Sequence, residues 1–431
     1  MLNPLAQELN GILAGTTPGE LLSDLGTRIY FPKGIIAQGA EAKKLGYKAN
    51  GTIGMTVDKG SPVIIPAIKE YVPDFSPAEL VAYSPTAGNL DLRNAWKKQI
   101  AMKNPLLRTK DYSLPVVVPG LTAGISYLAD LFLDETKPLL AADPSWDNYV
   151  LIANARRNAE FKQFSMFADG HFNLKAFKEA MLEEAKSGSI RVLLNFPQNP
   201  SGYSPTVDEA KQIVSIIKEI AEGGTKVMVW CDDAYFGLNY EKDIEKQSLF
   251  AYLADIHENV LAVKIDGPTK EDFVWGFRCG FLTFGCKGLL QTQYDALIKK
   301  LMGVIRSSVS CTSTPPQSFL LRAYSDPAVE QQKTYFRGVL ERRYAIVKKF
   351  VNSHKSENIE ALPFNSGYFM SFHVDKISAP MLREKLLHEK GIGTVSIDEH
   401  TLRVAFSSIE EDKLEEVYQS IYDTAEVLAR V

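Results

Sequence analysis

Lys264-Ile265-Asp266-Gly267-Pro268-Thr269-Lys270-Glu271-Asp272-Phe273-Val274-Trp275-Gly276-Phe277-Arg278-Cys279-Gly280 is the stretch whose reading decides the fold. The apolar run Val260-Leu261-Ala262-Val263 leads into it and reads as a buried strand. Gly267-Pro268 then turns the chain. Lys270 sits in that turn, and Arg278 follows before a second apolar run, Phe281-Leu282-Thr283-Phe284. A lysine held at a strand end can form a Schiff base with an aldehyde, and a nearby arginine can hold a phosphate. Taken alone, Lys270 reads more simply as a solvated turn residue, since lysines are seldom buried.

Working outward, the same texture recurs. Lys226-Val227-Met228-Val229-Trp230-Cys231 runs into Asp232-Asp233-Ala234-Tyr235, and Val192-Leu193-Leu194-Asn195-Phe196 into Pro197-Gln198-Asn199-Pro200-Ser201-Gly202. Leu139-Leu140-Ala141-Ala142 runs into Asp143-Pro144-Ser145-Trp146. Val116-Val117-Val118 leads to Gly120-Leu121-Thr122, where a helix opens, and another helix fits Val207 to Ala221. Apolar strands alternating with helices predict an α/β fold with a mainly parallel sheet covered on both faces. Ligands gather beyond the carboxyl ends of such strands, where every one of these polar clusters lies.

Asp232 follows five apolar residues, a costly place for an unpaired charge. A carboxylate there can pair with a protonated pyridine nitrogen, or cap a helix. Asp233 is the adjacent candidate, but alternation along a strand keeps the two from facing the same way. Asn199 and Tyr235 can donate to a ring hydroxyl, although Asn199-Pro200-Ser201-Gly202 is also a good turn. Trp146 offers a flat face for stacking, or a core residue. The helix start at Gly120-Leu121-Thr122 is a ready phosphate site, to which Arg278 adds a bidentate contact.

The remaining chain bounds the answer. Its 431 residues hold enough apolar surface for two or three domains. A net charge of −4 gives no footprint for nucleic acid, and no apolar run approaches the ~20 residues of a membrane helix. The N-terminus lacks a signal-peptide pattern, and the four cysteines are too few to staple the chain, so a cytoplasmic protein with reduced thiols is expected. Six scattered histidines point to no metal. No Gly-x-Gly-x-x-Gly or Walker sequence follows a strand, which disfavours nucleotide cofactors.

Before the sheet, Gly11, Gly15, Pro18, Gly19 and Gly26 break any long helix, and Gly51 to Gly60 reads as a glycine-rich loop or short strand pair. Helices are expected from Pro66 and after Asn89, with Leu92 and Trp96 on one face. Past residue 330 the texture becomes α+β: a helix over Tyr335 to Val351, strands at Gly367–Val374 and Thr401–Phe406, and a closing helix from Glu410 to Leu428. The expected division is a large domain over 76–330 and a smaller one built from 1–75 and 331–431.

In order and kind, Asn199-Pro200-Ser201-Gly202, Asp232-x-Ala234-Tyr235, Lys270 and Arg278 resemble the class I aminotransferases, fold-type I enzymes of pyridoxal phosphate (PLP) similar to aspartate and aromatic amino-acid aminotransferases. The resemblance runs from about Thr52 to Phe406. It implies that Lys270 is the Schiff-base lysine and base, and that Asp232 pairs with the pyridine nitrogen. Asn199 and Tyr235 then serve the phenolic oxygen, Trp146 stacks on the ring, and Gly120, Leu121, Thr122 and Arg278 hold the phosphate. It further implies a homodimer in which Tyr83 reaches the partner's phosphate, a backbone contact at Gly54, and a substrate α-carboxylate clamped by Arg403. The substrates implied are an acidic or aromatic L-amino acid and a 2-oxo acid such as 2-oxoglutarate. A PLP lyase or decarboxylase and a low-turnover PLP-binding sensor are the alternatives on the same fold.

Three departures stand out. Gly267 stands where the family often has a phosphate-binding serine, and Tyr149 where aspartate aminotransferases carry a histidine near the pyridine-pairing aspartate. Arg306 resembles the arginine that reads a distal carboxylate. However, Cys311-Thr312-Ser313-Thr314 intervenes before Pro315-Pro316, and aligning the prolines instead puts Val309 at that position.

Overall fold

The computed structural model describes residues 2–13, 27–28, 35–52, 54–58, 61–63, 65–70 and 74–430. Of the expected helix breakers, Gly11 lies within a helix, Pro4–Leu13, while Gly15, Pro18, Gly19 and Gly26 lie outside the described residues, as do Ile53, Lys59 and Gly60. Seven strands make the central sheet: β1 (Val116–Val118), β2 (Leu139–Asp143), β3 (Phe161–Ser165), β4 (Ser189–Asn195), β5 (Lys226–Asp232), β6 (Val260–Asp266) and β7 (Gly280–Gly285). Their order is β1-β7-β6-β5-β4-β2-β3. All neighbours are parallel except β7, which runs antiparallel to β6 and β1. The fold is thus α/β with a mainly parallel sheet.

Register aligns the ends that matter. Asp232 lies opposite Asn195 on β4 and Ile265 on β6. The carboxyl ends of three central strands therefore stop at one level, and each hands its next residues to the same edge.

Helices cover both faces, and their sequences show why they form. The helix Val207–Glu222 starts in a capping box: Thr206 Oγ1 accepts from the Glu209 N–H at 3.2 Å, and Glu209 Oε2 accepts from the Thr206 N–H at 2.7 Å. Ala210, Ile213, Ile217 and Ile220 recur at helical spacing and are buried on the core side. Each isoleucine contributes about 2 kcal/mol by burial, so a charge at Ile217 would strip the helix from the sheet.

The helix expected at Tyr335–Val351 spans Pro327–Ser353. Its start is set by Pro327 in the first turn and by Asp326 Oδ1, which accepts from the Ala328 N–H at 2.8 Å. The polar first turns hide it from apolar periodicity. The closing helix begins at Leu414, after a 3-10 turn over Glu411–Lys413.

A second, antiparallel sheet has the order Glu360–Ala361, Phe369–His373, Thr401–Ala405, Val395–Ser396. It packs under the C-terminal helices in a separate core that includes Val347, Phe350, Phe372, Leu402 and Tyr418. Ala49–Asn50 pairs with Ile392–Gly393, so early residues join this region. No helix among the described residues is long and apolar enough to cross a membrane.

Candidate active site

Asp232 ends β5 and is buried. Tyr149 O–H donates to its Oδ2, the Ala234 N–H donates to Oδ1 at 3.1 Å, and Asn195 Nδ2 donates to its backbone carbonyl at 2.8 Å. Burial raises the carboxyl's pKa, opposed by the Tyr149 hydrogen bond and the charge of Lys270. Asp233 faces the other way, as strand alternation requires. It pairs with the buried Lys264 and accepts from Ser248 Oγ at 2.6 Å. Lys264 also lies 3.4 Å from Asp266 Oδ2, whose other oxygen accepts from Trp96 Nε1 at 3.0 Å.

Lys270 lies in a short helix, Pro268–Glu271, rather than in an open turn. Its carbonyl accepts from Tyr368 O–H at 3.0 Å, which fixes the backbone under the side chain. Its Nζ stands 4.8 Å from the centroid of the Tyr235 ring. Burial lowers its pKa from 10.5 to about 8, with Arg278 lowering it further and Asp232 opposing. An amine in that range is partly free at neutral pH, as a nucleophile or base requires.

Tyr235 in turn packs on Phe369, with ring centroids 5.4 Å apart, and the Arg403 guanidinium sits 4.3 Å over the Phe369 ring. Arg403 is buried; its Nη1 donates to Asn199 Oδ1 at 2.9 Å and its Nη2 to the Thr52 carbonyl at 3.2 Å. Its Nε is buried with no acceptor. Burial lowers its pKa to about 10, so it stays cationic at neutral pH. The Asn199 oxygen accepts from Arg403, which points the side chain's one donor, Nδ2, away from the guanidinium. The Asn199 N–H donates to Asn195 Oδ1 at 2.9 Å. A Cβ at Gly54 would lie 3.3 Å from the Phe369 ring and 3.7 Å from the Tyr235 hydroxyl, which places this loop at the same cluster.

The phosphate end is built from close backbone approach. Gly120 has φ +86° and precedes the helix Leu121–Phe132, with Thr122 in its first turn. A Cβ on Gly120 would lie 2.5 Å from Arg278 Nη2, so only glycine leaves room for that guanidinium. A Cβ on Gly267 would meet Leu121 Cδ1 at 2.9 Å and the Gly280 backbone at 3.0 Å. A side chain at this position would therefore be crowded, which fits the glycine that stands there.

The structure thus brings Gly54, Asn199, Asp232, Tyr235, Lys270 and Arg403 together, and Gly120, Leu121 and Arg278 beside one another. Trp146 is half-buried, its ring edge-on to Tyr149 at 5.3 Å. Tyr83 and Arg306 are exposed, and Arg306 Nη1 donates to Ser310 Oγ at 2.5 Å rather than to the cluster. Sequence reasoning missed Asn195, Tyr368 and Phe369. The first looked like the end of an apolar strand, and the other two reach the site only through tertiary packing.

The donor set fits PLP: a primary amine, a buried carboxylate, an unpartnered guanidinium N–H, and a helix start that a Cβ would block. The amine, the carboxylate and the helix start lie beyond the carboxyl ends of the α/β sheet, the usual ligand position in such folds, and Arg403 reaches them from the second sheet. The family model for class I and II aminotransferases matches residues 54–421, and the chain belongs to that family, whose cofactor is PLP. A probable N-acetyl-LL-diaminopimelate aminotransferase of Bacillus subtilis is 26% identical over 57% of this chain and 56% of its own length. The match therefore spans little more than half of that relative. Aromatic-amino-acid aminotransferase 2 of Thermococcus litoralis is 24% identical over 66% of this chain and 68% of its own. An aminotransferase from Anaerococcus prevotii shares the fold with a TM-score of 0.84 and 23% identity, over 94% of this chain and 99% of that one. The kynurenine aminotransferase of Pyrococcus horikoshii, solved with PMP, shares it with a TM-score of 0.79 and 18% identity, over 96% and 99%.

Proposed function

We propose that this protein moves an amino group between an L-amino acid, acidic or aromatic, and a 2-oxo acid such as 2-oxoglutarate. The supporting observation is the ring bridge from amine to guanidinium: Lys270 lies against Tyr235, Tyr235 against Phe369, and Phe369 under Arg403. That series of rings sets a base at one end and a carboxylate clamp at the other.

In this reading, bound PLP supplies an aldehyde and an electron-sink ring. Lys270 Nζ would be the group that takes the proton from the substrate's Cα. Asp232, with the Tyr149 hydroxyl donating to it, would accept from the ring N–H. Asn199 Nδ2 and Tyr235 O–H donate to the phenolic oxygen, and Trp146 covers the ring. Gly120, Leu121, Thr122 and Arg278 bind the phosphate. Arg403 clamps the α-carboxylate in planar, bidentate fashion beside Gly54.

The proposal includes a cytoplasmic homodimer with Tyr83 extending to the partner's phosphate, for which its 94% exposure leaves room. It also includes a large domain over 76–330 and a small one from 1–75 and 331–431; two cores support a division, while Val63, Ile65 and Ile68 pack in the larger one. Arg306 would read a distal carboxylate from the partner copy.

The test begins with purified protein, PLP and borohydride, followed by peptide mapping. Covalent label on Lys270, absent in Lys270→Ala, is expected; equal labelling of the variant would overturn the assignment. A panel of amino donors against 2-oxoglutarate then separates the substrate classes. Aspartate turnover that vanishes in Arg306→Ala marks the acidic class, and indifference to that change removes Arg306 from the site.

A further inference from the structure

Arg343, on the long helix, is 1% exposed. Its Nη1 donates to the Ser407 carbonyl at 2.5 Å. Its Nη2 donates to the Val57 carbonyl at 2.7 Å and to Glu410 Oε2 at 3.0 Å. Val57 closes the short loop that carries Gly54 and Met55, and Ser407 follows the strand that carries Arg403. The guanidinium therefore joins the two segments on which the carboxylate clamp stands.

Other bonds run between the same segments. The Ala405 N–H donates to the Gly51 carbonyl at 2.7 Å, Ser407 Oγ to the Met55 carbonyl at 3.2 Å, and Ser408 Oγ to the Asn50 carbonyl at 2.8 Å. Burying a guanidinium is expensive, and an apolar residue would pack this helix face as its buried neighbours Leu340 and Val347 do. What an apolar residue cannot do is hold two backbone carbonyls from segments so distant in sequence.

We propose that Arg343 is a positioning residue for the substrate's α-carboxylate, fixing the Gly54–Val57 loop against the Arg403 strand so that both face one point. The inference rests on reading Arg403 as the carboxylate clamp.

The test uses the PLP-loaded enzyme with L-phenylalanine and phenethylamine, which differ only in the carboxylate, followed by spectral titration. Arg343→Met is expected to weaken L-phenylalanine binding about tenfold while phenethylamine and PLP stay within about twofold, since a small misplacement acts only on the group it misplaces. Amides in 50–57 should also exchange faster. Ser407→Ala removes only the bond to Met55 and should show the same selectivity at about threefold, so it decides the matter if Arg343→Met fails to fold. Equal loss for both ligands, or no loss in either variant, overturns the proposal. If the wild-type enzyme itself binds the two ligands alike, the reading of Arg403 fails instead.

Discussion

The Tyr149 hydroxyl donates to the Asp232 carboxylate at the end of β5, with both groups buried. That bond lowers the carboxyl's pKa against the upward pull of burial. Tyr149→Phe removes it and pushes the pKa higher still, so Asp232 accepts less readily from a ring N–H. Loss of a hydrogen bond to a charged group costs about 1.5–3 kcal/mol. PLP titration of the apoenzyme should show a rise in Kd of roughly tenfold or more.

Lys270 gives the site a pH dependence whose sign is fixed. Its amine is shifted down from 10.5 to about 8, so it is protonated below that pH and free above it. Covalent capture of PLP by the apoenzyme should quicken as pH rises and level off above about 8. Asp232 favours the charged amine, so Asp232→Asn should move the midpoint to lower pH. Stopped-flow absorbance across a pH series reads both.

Gly267→Ser installs the residue that relatives often carry, yet it should weaken the protein. The new Cβ would press on Leu121 and on the Gly280 backbone. Overpacking of this kind costs about 1–3 kcal/mol. Calorimetry should show a lower Tm, and PLP affinity should fall because the helix start that holds phosphate is displaced.

Lys264 neutralises Asp233 and Asp266 on the side of the sheet away from Lys270's cluster. Lys264→Met leaves two buried acids without their cation. Removing one partner of a buried pair costs about 3–5 kcal/mol, and denaturant unfolding should report a loss of that size. Asp266 already has its pKa raised to about 6 by burial. Without the lysine, its proton should be held to still higher pH.

The sheet and the groups beyond its strand ends were legible because each sits directly after an apolar run. Asp232, Asn199, Lys270 and Arg278 needed only local sequence and order. Lys264 did not stand out, because a lysine closing an apolar run reads as solvated, and Asp233 reaches it only through the pairing of β5 with β6. Arg343 was hidden among the neighbouring basic residues Arg337, Arg342 and Lys348 on a largely polar helix. Nothing local marks which of them turns inward. β3 was missed because Phe164 alone of its five residues is buried at this sheet edge, so no apolar run announces it.

The reach from Arg403 back to Thr52 spans 351 residues. The phosphate cradle, by contrast, needs nothing beyond Arg278 and Gly280. During synthesis at about 5–20 residues per second, the cradle's parts are therefore all made several seconds before Arg403 is. A nascent chain has the pieces to hold a phosphate well before it can tell an amino acid from an amine.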